Sequence, residues 1–183
     1  MFSPPEPEIE LARDCEAIVI PHGYKTQLQK GTKLRVMQRL GGSVTVTAEF
    51  GGLFRLDPES YDAIGLEAPA AAEATGASSQ PLEERVWETL RTCYDPEIPV
   101  NIVELGLVYD CTVDPPAAGK SVVHIKMTLT APGCGMGEVL ARDVETRVGQ
   151  LPDVEKADVE VVFDPPWNQS MMSEAARLQL GFF

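Results

Sequence analysis

Residues 122–138, which read VVHIKMTLTAPGCGMGE, decide the fold of the C-terminal half of the chain. Within residues 122–129 apolar and polar side chains alternate, which predicts a β-strand with one buried face. A glycine-rich loop follows, and apolar residues then recur at helical spacing from Leu140 to Leu151. The stretch therefore predicts a strand, a loop and a helix in immediate succession.

The flanking residues extend this unit in both directions. A second strand face precedes a Pro-Pro turn, which predicts a β-hairpin with residues 122–129, and a strand after the helix should pair in parallel. We expect an α/β (α+β) domain over residues 82–183, with a mixed three-stranded sheet and the order α, β, β, α, β, α. The apolar positions are Leu82, Val86 and Leu90 for the first helix, Tyr109, Cys111 and Val113 for the hairpin strand, Val159, Val161 and Phe163 for the third strand, and residues 171–180 hold the last short helix.

The N-terminal part has strand signals separated by glycine pairs. Gly41-Gly42 and Gly51-Gly52 lie between successive apolar runs, where tight hairpins need positive φ angles. We expect a small all-β domain over residues 12–66, after a flexible acidic tail at residues 1–11. A linker of small residues at 67–81 separates it from the α/β domain.

Charge and hydropathy argue against nucleic-acid binding, membrane insertion and secretion. The formal charge of the 183 residues is −13, which disfavours nucleic acid. No run of about 20 apolar residues could span a membrane, and the N-terminus has no secretory signal. We expect a cytoplasmic protein.

Cys134 is the strongest candidate for a reactive or metal-binding side chain. Glycines flank it and a helix begins just after it, so a thiolate is stabilised there, ready to act as a nucleophile or a metal ligand. The alternative is a small residue that fills a tight turn. The other three cysteines form no Cys-x-x-Cys pair, which argues against disulfides and a zinc site, and we expect them to be structural: Cys15, Cys93 and Cys111.

Two further segments carry polar or aromatic groups on loops. Asp95 and Glu97 lie on a proline-stiffened loop that could aim ligands or bases, although a helix end with solvated carboxylates would look the same. Trp167 is expected to pack rather than bind a cofactor. A phosphate cradle is disfavoured because Glu138 stands where a dinucleotide fingerprint has its third glycine.

Three motifs together resemble a known family. The sequence contains DPEIPVNIVELGLVYD at residues 95–110, TLTAPGCGMGEVL at 128–140 and FDPPWNQSMMS at 163–173. In this order and spacing they resemble the SufT-type proteins and the wider family of small cytosolic iron–sulfur assembly factors. Residues 20–56 resemble the extra β domain that SufT-type proteins carry.

The resemblance implies a non-enzymatic factor that helps to deliver iron–sulfur clusters to client proteins. Its reactive residue would be Cys134, and the family's site would further include Asp95, Glu97 and Thr130. Implied partners are client proteins and other Suf components. Alternatives are a metal-free adaptor, an accessory of an oxygenase complex, or a thiol enzyme, which would need a base that the sequence does not place beside Cys134.

Ligand counting adds a constraint on the expected iron–sulfur cluster. A cluster takes about four protein ligands, mostly thiolates, so one exposed cysteine cannot enclose it. A second copy, a small thiol, a carboxylate or the client must supply the rest. We therefore expect transient binding and a possible homodimer.

Overall fold

The computed structural model describes residues 8–67, 80–95, 97–116, 119–131, 133 and 135–182. The chain divides into two compact units, residues 1–72 and 73–183. Each unit has its own apolar core. The combination of an antiparallel sheet in the first unit and a smaller mixed sheet with helices in the second confirms the predicted fold class.

The first unit is a six-stranded antiparallel sheet. Its strand order is β1-β4-β5-β6-β2-β3, and a 3₁₀ helix follows the last strand. Both predicted glycine pairs have positive φ angles at the hairpins. The elements are β1 Glu8–Glu10, β2 Cys15–Ile20, β3 Lys25–Leu28, β4 Lys33–Leu40, β5 Ser43–Ala48, β6 Leu53–Leu56 and the 3₁₀ helix Pro58–Ile64.

The acidic tail predicted for residues 1–11 is wrong at its C-terminal end. Residues 8–10 form β1, which pairs with Lys33–Arg35 of β4, and Leu11 is buried. The strand is short and acidic, so neither alternation nor β propensity marks it. Backbone pairing at the sheet edge holds it, helped by the bond from the Leu11 N–H to the Thr32 carbonyl at 3.0 Å. Residues 1–7 and 68–79, most of the predicted linker, lie outside the described residues.

The second unit places helices against a three-stranded sheet of order β7-β8-β9. β7 pairs antiparallel with β8, and β8 pairs in parallel with β9. The apolar positions predicted for β8 and the first two helices are buried, except that Leu82 and Leu151 are only partly buried. The elements are α1 Leu82–Leu90, β7 Val108–Val113, β8 Ser121–Met127, α2 Met136–Gly149, β9 Val154–Val161, a 3₁₀ turn Gln169–Met171 and α3 Glu174–Leu180.

The third strand differs from its prediction at both ends. β9 begins at Val154 and ends at Val161, and Phe163 is exposed beyond it. Charged residues at the start of β9 interrupt the apolar pattern, so the periodicity does not mark where the strand begins. Pairing with β8 keeps this part of the chain extended. In the described part of the chain no helix is long and apolar enough to cross a membrane.

Candidate functional site

The register of the small sheet brings three motif segments to one edge. Val108 pairs with Met127, and Met127 pairs with Val161. The acidic loop, residues 94–107, enters β7 at this edge. The cysteine loop, residues 128–135, leaves β8 there, and the C-terminal strap, residues 162–173, leaves β9 there. All three segments therefore begin or end at the same level of the sheet.

Backbone hydrogen bonds continue the sheet into these segments. The Thr128 N–H donates to the Leu107 carbonyl at 2.7 Å, which joins the cysteine loop to the acidic loop. The Val162 N–H donates to the Met127 carbonyl at 2.8 Å, which joins the strap to the end of β8. The bases of the three segments are thus fixed relative to one another.

The cysteine loop is held at both ends. Leu129 and Met136 are buried, and α2 begins at Met136 after Gly135, which has no side chain to cap the helix. A Cβ on Gly137 would overlap with Cδ1 of Leu129, so the first turn of α2 packs directly on the strand end. The glycine motif therefore serves close packing. Cys134 itself, like Pro132, lies outside the described residues.

Asp95 is half-buried, so that its carboxyl group is partly desolvated. Its Oδ1 accepts the backbone N–H of Glu97 at 2.9 Å. Burial raises the pKa of Asp95, and the nearby negative charge of Glu97 raises it further, while backbone N–H groups of Glu97 and Ile98 act in the opposite direction. Glu97 is exposed. The two carboxylates therefore differ in environment, which the sequence does not reveal.

The second half of the acidic loop is a tightly bonded turn. Oδ1 of Asn101 accepts the N–H groups of Val103 at 3.1 Å and Glu104 at 2.9 Å. Asn101 also forms a β-bridge with Tyr94, next to Asp95. Gly106 has φ of +70° and lies so close to the strap that a Cβ would overlap with the Met171 carbonyl oxygen.

The two threonines of the cysteine loop differ in burial. Thr130, a predicted site residue, is half-buried. Thr128 is fully buried, and within the described residues its Oγ1 has no hydrogen-bond partner. The alternation of residues 122–129 predicts that Thr128 lies on the polar face of the strand, and its complete burial shows that this prediction was wrong at Thr128. No hydrogen bond among the described residues joins Thr130 to Asp95 or Glu97, so the convergence of these side chains around Cys134 stays a prediction.

The remaining cysteines are buried in the two cores. Cys15 and Cys93 are almost inaccessible, and Cys93 Sγ lies 3.7 Å from the Thr89 carbonyl oxygen. Burial, helped by the charges of Glu83 and Asp110, raises the pKa of Cys111 to about 11. Burial thus opposes ionisation of Cys15 and Cys111 and access to Cys93. In the described ranges no three His, Cys, Asp or Glu side chains cluster to hold a metal ion.

Comparison with known proteins identifies the second unit. Residues 83–161 match the family described as "Iron-sulfur cluster assembly protein". An Fe-S protein maturation auxiliary factor of Porphyromonas gingivalis is 46% identical over 100 residues, which cover 55% of this chain and 91% of that protein. The Fe-S protein maturation auxiliary factor YitW of Bacillus subtilis is 38% identical over 55% of this chain and 94% of its own length.

A third relative bears the name that the motifs suggest. The Fe-S protein maturation auxiliary factor SufT of Staphylococcus aureus is 40% identical over 87 residues, which cover 48% of this chain and 94% of that protein. These relatives are covered almost completely, so the shared region is a whole protein in each of them. The chain belongs to the family of iron–sulfur cluster assembly proteins and is of the SufT type.

Proposed function

We propose that this chain is a non-enzymatic maturation factor that assists the assembly or transfer of iron–sulfur clusters to client proteins through Cys134. One observation carries the proposal: the acidic loop, the cysteine loop and the strap meet at one edge of the small sheet, in register at Val108, Met127 and Val161. Relatives named as maturation factors share this part of the chain.

The cluster is cargo in this proposal. Cys134 would supply one thiolate at the uncapped start of α2, where the helix dipole favours negative charge. Asp95, Glu97 and Thr130 would flank it, as oxygen ligands or hydrogen-bonding groups. Since a cluster needs about four ligands, the chain alone would hold it incompletely, and this favours release to a client that offers more thiolates.

The partners in this proposal are iron–sulfur client proteins and other Suf components in the cytoplasm. A second copy of the chain could double the ligand set before transfer. The thiols of Cys15, Cys93 and Cys111 are buried, and burial opposes either their ionisation or their access to a cluster. They are therefore unsuited to act as further cluster ligands.

Anaerobic reconstitution with iron and sulfide tests the proposal. Visible charge-transfer absorption should develop on the wild-type protein and on Cys111→Ala, a control that removes a buried thiol. It should be lost in Cys134→Ser. Equal absorption of wild type and Cys134→Ser would contradict cluster handling by Cys134, and client binding without absorption by any variant would favour a metal-free adaptor.

A further inference from the structure

The strap passes across the ends of the strands of the small sheet. β9 lies on one side of β8 and β7 on the other, yet residues that follow β9 bond to residues that precede β7. The strap must therefore pass the end of β8 from which the cysteine loop starts. This position agrees with the complete burial of Thr128 at that end.

Backbone carbonyl groups of the acidic loop accept hydrogen bonds from residues of the strap and of α3. The indole Nε1–H of Trp167 donates to the Leu105 carbonyl at 2.8 Å, and the Ser173 N–H donates to the Glu104 carbonyl at 2.9 Å. Further along, the Gln179 side chain donates to the Pro99 carbonyl at 2.9 Å. A shift of the acidic loop would therefore break hydrogen bonds to residues 167–179.

The other contacts of the strap fix its own path. The Tyr109 hydroxyl donates to the Pro165 carbonyl at 2.8 Å, which ties the strap to β7. Met171 lies against Gly106 with room for a hydrogen atom only. Oδ1 of Asn168 accepts the Ser170 N–H at 3.0 Å and starts the 3₁₀ turn. Trp167 thus reaches Leu105 from a segment that is itself restrained.

We infer that the strap positions the acidic loop beside the cysteine loop and that Trp167 is the central positioning residue of the strap. This inference rests on the proposed function. The connection runs through bonded groups: Trp167 holds the turn at Leu105, Asn101 caps the same turn, and Asn101 pairs with Tyr94 beside Asp95. Loss of the indole N–H would loosen the loop and move Asp95 and Glu97 relative to the cluster without removing either carboxylate.

The two tryptophans of the chain provide a matched test. Trp167→Phe keeps an aromatic ring but removes the N–H, whereas Trp87→Phe makes the same change on α1, in the same core. In the full-length protein without cluster, Trp167→Phe should speed amide hydrogen exchange at Glu97 and Glu104 by up to about tenfold, the effect of one hydrogen bond. Trp87→Phe should leave both rates unchanged.

A functional readout separates positioning from general stability. With cluster-loaded protein, Trp167→Phe should lower the limiting rate of transfer to a client several-fold and leave the client concentration at half-saturation unchanged. Tyr109→Phe, which loosens the strap from β7, should act in the same direction and serves if Trp167→Phe does not fold. Trp87→Phe should transfer clusters at the wild-type limiting rate.

Four outcomes would overturn the inference. They are unchanged exchange in Trp167→Phe, equal changes in Trp87→Phe, faster exchange throughout β8 as well, and a local change in exchange with an unchanged limiting rate. Failure of the proposed function looks different, because Cys134→Ser would then transfer clusters like the wild type while the exchange result for Trp167→Phe still stood.

Discussion

Asp95 carries a penalty for ionisation in the folded state. Its pKa is raised chiefly by burial, so between its ordinary value of about 3.9 and the raised value the folded chain binds more protons than the unfolded chain. Stability therefore falls as pH rises through this window. Such a penalty is typical of a group kept for function at some cost in stability.

We expect Asp95→Asn to remove this penalty. The amide Oδ1 can still accept the Glu97 N–H, so the loop should keep its shape. The free energy of unfolding of the variant should exceed that of the wild type at pH 7, with the difference shrinking as the pH falls toward the ordinary carboxyl pKa of about 3.9. Urea unfolding across this range measures it, with Glu155→Gln, an exposed carboxylate of β9, as the control. A difference that is constant with pH would contradict the assignment.

Cys134 should be the reactive thiol of the native chain. The thiols of Cys15, Cys93 and Cys111 are buried, and the pKa of Cys111 is raised to about 11. Iodoacetamide at neutral pH should modify Cys134 first, with a titration midpoint below the ordinary thiol value of about 8.5. Peptide mapping by mass spectrometry at several pH values locates the label. A Cys134 rate no faster than in the unfolded chain would contradict a stabilised thiolate.

The close contact between the acidic loop and the strap depends on Gly106. Alanine there would overlap with the Met171 carbonyl and would also adopt φ of +70°. Gly119 has φ of +87° but open space where a Cβ would stand, so Gly119→Ala carries the backbone strain alone. We expect Gly106→Ala to be less stable than Gly119→Ala by about 2 kcal/mol in chemical unfolding. Equal stabilities would show that the close approach is unimportant.

The elements differ in how far the sequence could predict them. Alternation marks β8 and helical spacing marks α2, because each buries one face against the core. β1 and β3 have polar sequences and exist through edge pairing, which no local pattern encodes. The same limit applies to the site: the glycine loop is visible in the sequence, whereas the bond from Trp167 to Leu105 joins residues that lie far apart in the sequence.

The number of cluster ligands and the net charge of the chain have opposite effects on self-association. Residues 81–183 hold 8 basic and 17 acidic side chains, a net charge of −9, which opposes self-association. In the proposed function Cys134 supplies one thiolate to a cluster that needs about four ligands, and this would favour pairing of two copies. Cluster binding should therefore decide the oligomeric state.

We predict that the cluster-loaded chain forms a dimer that depends on Cys134. Light scattering before and after anaerobic reconstitution should show an increase from monomer to dimer mass for the wild type and none for Cys134→Ser. Cys111→Ala should behave as the wild type. A cluster-loaded species of monomer mass, or a dimer of Cys134→Ser that retains iron, would contradict shared ligation by two copies.

Activation of an apo [4Fe–4S] enzyme tests whether this chain passes a cluster to a client protein through Cys134. Wild type, Cys134→Ser and Cys111→Ala, each taken through the same reconstitution with iron and sulfide, are mixed anaerobically with the apo enzyme and an excess of a soluble iron chelator, which removes any iron released into solution. We predict that wild type and Cys111→Ala restore the activity of the client and that Cys134→Ser does not. Activation by Cys134→Ser at the wild-type rate would contradict cluster transfer through Cys134.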